Sequence, residues 1–246
     1  MHHPWTSLTR SGLAAAFGTA ARLRRGRPLH ASGIVLDAHL RLHGTPQPWG
    51  TPFLDQRMDL HGVARLSRSV GVPWPLPDVL GIALRWQQDA TTAELLLATT
   101  GHTTLGRRVL RPATRWTGMY SSLFPYQRGE RRLLLGALLH TPAALPATLE
   151  ALAAAVEDGP LVLELLAAAP SGPWQLLGQV HLTGPATADA DHPTRFDPLR
   201  RPIPGLRPAS WLNEVRDAAY VAAQQVPGQP ERTHRLLAPR EPALQR

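Results

Sequence analysis

The clearest pattern along the chain is an alternation of apolar and polar side chains between residues 31 and 43. Every second position from Ile34 to Leu42 is apolar, and the alternate positions Asp37, His39 and Arg41 are polar. A period of two is typical of a β-strand with one buried face. The pattern therefore predicts a strand over 31–43. The polar side chains expected to face water are Asp37, His39, Arg41 and His43.

Other apolar runs, separated by glycine and proline, predict further strands. Strands are expected over 79–87, 94–100 and 133–139. The clearest hairpin pairs 161–166 with 176–182 across the turn sequence from Pro170 to Pro173.

Helices are expected over 7–24 and 145–157, and after Ser210, which can cap the last helix. Residues 59–70 fit a strand or a helix. The stretch from Val72 to Pro77 contains three prolines, which forbid a helix and predict an extended chain.

These elements predict a β-rich α+β fold in which an antiparallel β-barrel is flanked by helices. The chain of 246 residues is expected to form a single domain over 1–246. Within it, 1–26 form an N-terminal basic helix, and 227–246 form a loose tail.

The net charge of +8 comes from 26 basic residues, all of them arginine. This bias, together with abundant Ala, Leu, Gly and Pro, is typical of GC-rich coding, so most of the charge is assigned to solvated arginine. No nucleic-acid motif accompanies it, and no specific nucleic-acid partner is expected.

The chain has no cysteine, which excludes disulfides and thiolate metal ligands. No apolar run approaches the ~20 residues that a transmembrane helix requires. The N-terminal arginines follow the small apolar stretch, the reverse of a secretory signal. A cytoplasmic protein is therefore expected.

Arg216 and Tyr220 lie four residues apart in the predicted last helix and so share one face. A guanidinium held against a phenol oxygen favours the phenolate. A tyrosine phenolate is one of the few axial ligands of haem iron. The pair therefore suggests a haem ligand, although a packed tyrosine with a backbone partner would also fit.

A second motif, Arg27-x-x-His30-Ala31-x-Gly33, leads into the predicted strand over 31–43. If the alternation of buried and exposed positions extends N-terminally to residue 30, His30 faces the buried side together with Ile34.

With these motifs, the chain resembles the haem catalases and their smaller catalase-like relatives. The family pattern R-x-x-H-A-x-G matches Arg27 to Gly33, and its R-x-x-x-Y matches Arg216 to Tyr220. Its F-x-P and P-G-I-like elements match Phe196 to Pro198 and Pro204 to Leu206, and its R-D-x-x-G-x-A-x-K strand matches Pro77 to Arg85. At 246 residues we expect a short relative without the wrapping arm and terminal helical region.

The resemblance implies a haem b cofactor and a peroxide or hydroperoxide substrate. Tyr220 would be the axial iron ligand, Arg216 would stabilise its phenolate, and Arg27 would bind a haem propionate. His30 would be the catalytic acid and base that moves the peroxide proton. The resemblance leaves room for a homo-oligomer.

Departures from the family pattern imply a peroxidase with weak catalase activity. Pro77 stands where the family has arginine, and Ala98 or Thr99 stands where it has the asparagine that positions peroxide. A further family arginine falls near Pro227. A haem or apolar-ligand binding protein without turnover, on the same barrel, is the alternative.

A metal-dependent phosphodiesterase is the second alternative, because an Asp-x-His sequence on a strand places both side chains on one face. A two-metal hydrolase would need further Gly-Asp and Gly-Asn-His segments, which the sequence lacks. A solvated strand face explains the candidate ligands better. They are Asp37, His39, His43, Asp55, Asp59 and His61.

Overall fold

A computed structural model describes residues 32–141, 144–185 and 196–208. Ten strands account for most of these residues. They are β1 (Ser32–Leu42), β2 (Met58–Arg68), β3 (Leu80–Gln88), β4 (Thr91–Thr99), β5 (Gly118–Ser121), β6 (Tyr126–Arg128), β7 (Arg131–His140), β8 (Leu161–Ala168), β9 (Gln175–Pro185) and β10 (Arg207–Pro208).

Eight of the strands form a closed antiparallel barrel in the order β7-β5-β4-β3-β2-β1-β9-β8, with β8 pairing back to β7. Strands β6 and β10 extend the sheet beside β7. Closure leaves the eight barrel strands without a free edge between them.

The interior of the barrel is filled by side chains. Strand β1 alternates as its sequence predicts, with Leu36 and Leu40 buried and Asp37 exposed. The inward residues of β3 include Leu84 and Trp86, which are also fully buried. An eight-stranded barrel is just wide enough for side chains to fill it, so the packed interior is a core rather than a ligand cavity.

Two glycines permit the close approach of neighbouring strands. A Cβ on Gly62 of β2 would lie 2.0 Å from the carbonyl oxygen of Arg85, and one on Gly178 of β9 would lie 2.3 Å from that of Arg41. No side chain fits at such distances, so these positions require glycine.

Two short α-helices pack on the barrel. Helix α1 (Pro52–Asp55) buries Phe53, whose ring stacks on Trp86 with centroids 5.1 Å apart. Helix α2 (Leu149–Asp158) joins β7 to β8 and packs against β9 and β1. Its N-cap, Thr148, accepts a hydrogen bond from the backbone N–H of Ala151. A 3₁₀ turn spans Gly106–Arg108.

The structure confirms the predicted strands and the hairpin of β8 and β9. The helix expected over 145–157 is present but begins at Leu149. The ambiguous stretch 59–70 is strand β2. The extended chain expected from Val72 to Pro77 is wrong in part, because the N–H of Leu76 donates to the carbonyl of Pro73 and closes a turn. Proline forbids the helix here but is compatible with a turn.

The antiparallel barrel of the predicted α+β fold is confirmed, but the described residues are mostly β. The helix expected over 7–24, the last helix and the tail over 227–246 lie outside the described residues. Within the described part of the chain, no helix is long and apolar enough to cross a bilayer.

Candidate functional site

The four residues assigned to haem by the sequence lie outside the described residues. They are Arg27, His30, Arg216 and Tyr220. The structure does describe the chain beside them. Strand β1 begins at Ser32, two residues after His30, and β10 ends at Pro208, eight residues before Arg216.

A row of small residues crosses the outer face of the barrel at the end where β1 begins. Gly33 of β1 pairs with Ser67 of β2, Ser67 with Gly81 of β3, and Gly81 with Ala98 of β4. We call these four residues the small-residue row. Since neighbouring strands lie ~4.8 Å apart, the row spans about 14 Å. Its own four side chains are small or absent, and the Arg65 guanidinium packs against it at Gly33.

Parts of this outer surface are buried although they face away from the core. Ser67 is 4% exposed, and Gly81 is also buried. Gly33 and Ala98 are half-buried. Outward positions of a barrel strand normally contact water, so burial here means that other parts of the protein cover the small-residue row.

Arg65 adds a cation beside the row and was missed by the sequence analysis. It precedes Ser67 by two residues on β2 and so faces the same side. Its guanidinium carbon lies 3.0 Å from the position that a Cβ on Gly33 would occupy. Burial lowers the pKa of Arg65 from its usual range, yet arginine stays charged at neutral pH. The alternation of faces along 59–70 places Arg65 on the same side as Ser67. This could be predicted only if the stretch were known to be a strand.

Two of the three tyrosines are buried within the fold. The hydroxyl of Tyr120 donates to the carbonyl of Trp116 at 2.7 Å. Burial raises the pKa of both Tyr120 and Tyr126 well above the usual range. Neither can supply a phenolate at neutral pH, which leaves Tyr220 as the remaining tyrosine in the sequence.

The segment 196–208 is anchored on the outer face of β3 and β4. The Phe196 ring packs against the guanidinium of Arg85, whose central carbon is 4.6 Å from the ring centroid. The backbone N–H of Asp197 donates to the Glu94 carboxylate. Arg201 donates to Glu94 at 2.7 Å through its side chain and accepts from the Glu94 N–H. The chain that leads towards Arg216 therefore crosses the outer surface of the barrel.

The two residues aligned with the catalase asparagine face opposite ways. Thr99 is buried, and its hydroxyl accepts a hydrogen bond from the N–H of Leu80 at 3.1 Å. Ala98 faces outward in the small-residue row but carries no polar group. Neither side chain offers an amide to orient a peroxide.

The candidate metal ligands separate into one cluster of three residues and three residues that lie apart from it. His39, Asp59 and His61 come together on the outer face of β1 and β2, with their donor atoms within 4.8 Å of one another. Asp55 instead accepts from the N–H groups of Trp49, Gly50 and Thr51. The other two are exposed at separate places: Asp37 lies on β1, and His43 contacts the carbonyl of Gly44.

One three-donor cluster on an exposed strand face does not make a two-metal hydrolytic centre, which needs two sets of ligands and a substrate cleft. The phosphodiesterase alternative therefore gains no support from the described residues.

The described fold is thus a closed antiparallel barrel with a packed core and a small-residue row on its outer face. No known protein family matches the chain, and a search of the curated proteins found no match.

Proposed function

We propose that this protein is a haem-binding, catalase-like peroxidase that acts on hydrogen peroxide or organic hydroperoxides, with weak catalase activity. The observation that carries the proposal is the small-residue row, which begins at Gly33, the last residue of the Arg27-x-x-His30-Ala31-x-Gly33 motif. The motif therefore leads into a surface that suits a flat ligand.

The described residues fit a haem on the outer face better than an apolar ligand inside the barrel. The interior is occupied by large side chains, including the fully buried Trp86, Trp116 and Tyr120. The small-residue row would let a planar ring approach the strand backbones, held between the row and the parts of the protein that bury Ser67 and Gly81. Arg65 beside it offers a charge-assisted contact to a propionate.

Tyr220 is the proposed axial ligand. Tyr120 and Tyr126 are buried with raised pKa values, so only Tyr220 remains for a phenolate. Arg216, one helical turn earlier, would lower the free energy of the phenolate by placing a positive charge against its oxygen.

His30 and Arg27 would act on the peroxide and on the haem, respectively. Bound haem would supply redox-active iron for the reaction with peroxide. His30 would take the proton from the peroxide oxygen nearest the iron and return it to the departing oxygen. Arg27 would hold a propionate and so fix the ring relative to His30.

Absorption spectroscopy of the purified full chain, supplied with haem, tests the proposal. We expect a high-spin ferric spectrum with a phenolate ligand, which Tyr220→Phe abolishes while circular dichroism stays unchanged. Tyr126→Phe is the matched control, and it should keep the spectrum because Tyr126 is buried in the core.

The outcome also separates the alternatives. A phenolate spectrum without reaction towards any peroxide would favour a non-catalytic haem-binding protein. An unchanged spectrum in Tyr220→Phe would overturn the ligand assignment, and the absence of haem binding would favour an apolar-ligand protein.

A further inference from the structure

Three potential metal ligands meet on the outer face of β1 and β2. His39 lies directly opposite His61 in the antiparallel pair. Their rings stack with centroids 4.3 Å apart and an interplanar angle of 6°. Asp59 precedes His61 by two residues and therefore projects from the same face of β2. We call these three residues the His-Asp-His cluster.

The donor atoms of the cluster converge on one point. His39 Nε2 hydrogen-bonds to Asp59 Oδ1, and His61 Nε2 lies 3.8 Å from the same oxygen. All three donor atoms lie within 4.8 Å of one another. Ligands held ~2.0–2.1 Å from a tetrahedral zinc ion are separated by about 3.3 Å. Small rotations of the side chains are therefore enough to bring the three donors around one ion.

The exposure of the cluster allows those rotations. The side chain of Asp59 is 66% exposed and that of His61 is 79% exposed, whereas that of His39 is only 26% exposed. The strand pair holds the Cα positions of all three, and His39 is the most fixed of the ligands. The cluster is thus partly preorganised, and the side chains that must move do so into solvent.

His181 of β9 lies on the other side of His39, directly opposite it in the β1–β9 pair, and is half-buried. Three histidines therefore cross adjacent strands in register. His181 is placed to supply a fourth donor, or to leave that position to water as open zinc sites do.

The chemistry of the cluster selects the ion. Two imidazoles and one carboxylate suit zinc and other borderline transition metals, whereas calcium and magnesium require oxygen ligands.

The cluster is separate from the proposed haem site. His39 follows Gly33 by six residues along β1, which corresponds to about 20 Å of strand. A metal bound at His39 would therefore leave the small-residue row untouched.

We propose that His39, Asp59 and His61 form a surface site for one zinc ion, with His181 as the fourth potential ligand. The site is independent of haem.

Zinc titration of the full chain by calorimetry, with and without haem, tests this proposal. We expect one zinc ion per chain in both forms. His39→Ala and His61→Ala should each weaken zinc binding at least about a hundredfold, since even an outer-shell change costs 10–100-fold. Magnesium should not compete.

Two control variants separate this site from other histidines. His140 on β7 pairs with Glu164 at 3.0 Å on the barrel surface but has no second histidine among the partners described. His3 lies in the N-terminal sequence Met1-His2-His3, outside the described residues. His140→Ala and His3→Ala should leave the affinity unchanged.

His181→Ala decides the number of ligands. A tenfold or larger loss indicates four protein ligands, and no change indicates three with water. The proposal is overturned if the chain binds no zinc at micromolar concentrations, or if the double variant His39→Ala, His61→Ala binds zinc as tightly as the unaltered chain.

Discussion

Arg85 and Glu94 form an ion pair across β3 and β4, in which Arg85 Nη2 lies 2.6 Å from Glu94 Oε1. The Glu94 side chain is completely buried, although it faces away from the barrel core. Its second oxygen accepts the N–H of Asp197, and Arg201 shares the first oxygen. One carboxylate thus ties the segment 196–208 to the barrel.

Replacing this carboxylate should destabilise the fold. Glu94→Ala removes the carboxylate that Arg85 contacts at 2.6 Å, and with it both side-chain contacts from Glu94 to the segment 196–208. We expect the free energy of unfolding to fall by about 3–5 kcal/mol, measured by denaturant titration. Glu164→Ala, which removes a more exposed carboxylate, should cost less than about 1 kcal/mol. Equal effects of the two variants would contradict this account.

A larger side chain in the small-residue row should weaken haem binding. Ala98→Leu projects from the outer face of β4 into the space proposed for the ring. We expect haem affinity, measured by titration of the absorption spectrum, to fall at least about tenfold, equivalent to about 1.4 kcal/mol. Thr92→Leu is the matched control, since Thr92 lies on the same face six residues away. If both variants bind haem like the unaltered chain, the ring does not lie on this row.

Removing His30 should slow peroxide turnover without displacing haem. General acid and base catalysis contributes about 10²–10⁴ in rate, so His30→Ala should reduce hydroperoxide turnover at least about a hundredfold. The Soret band should persist, because Tyr220, the proposed iron ligand, is unchanged. Stopped-flow absorption measures both. An equally fast His30→Ala variant would remove His30 from the mechanism.

Oxygen evolution from hydrogen peroxide should be slow compared with peroxidation of bulkier hydroperoxides. Dismutation requires two peroxides to be oriented in turn, whereas Ala98 is apolar and the Thr99 hydroxyl is held by Leu80. An oxygen electrode and a hydroperoxide assay on the same preparation give the ratio. Oxygen evolution at the rates of dedicated catalases would show that neither Ala98 nor Thr99 corresponds to the family asparagine.

Asp59 should titrate below the ordinary aspartate range. The hydrogen bond from His39 is the main cause that lowers the pKa of Asp59. A lowered pKa in the folded state means that the associated stability is present above the unfolded pKa and is lost as pH falls through the folded pKa. Carboxyl NMR titration should show the pKa of Asp59 returning towards about 3.9 in His39→Ala. An unchanged titration would contradict the assigned hydrogen bond.

Much of the secondary structure was predictable from the sequence because a half-buried strand places its signal in adjacent residues. The alternation from Ile34 to Leu42 identified β1 and the outward positions of Asp37 and His39. The turn at Pro170 identified the hairpin of β8 and β9. The prediction of an extended chain from Val72 to Pro77 was wrong in part, because the same prolines are compatible with an extended chain and with a turn.

The motifs at Arg27–Gly33 and Arg216–Tyr220 are likewise properties of the sequence, and their assignment to haem remains a prediction. The pairing of β7 with β8, which closes the barrel, joins strands that are separated by helix α2. No local pattern specifies such a pairing, because it depends on the packing of the whole core.

The tertiary structure alone decided which side chains of different strands meet. Gly33, Ser67 and Gly81 are far apart in the chain and form one surface only when β1, β2 and β3 pair in register. Likewise, His39 meets His61 because the same register brings together residues twenty-two positions apart in the chain. Each strand's own alternation determines which face a residue occupies, but only the hydrogen-bonded register between strands determines its neighbour.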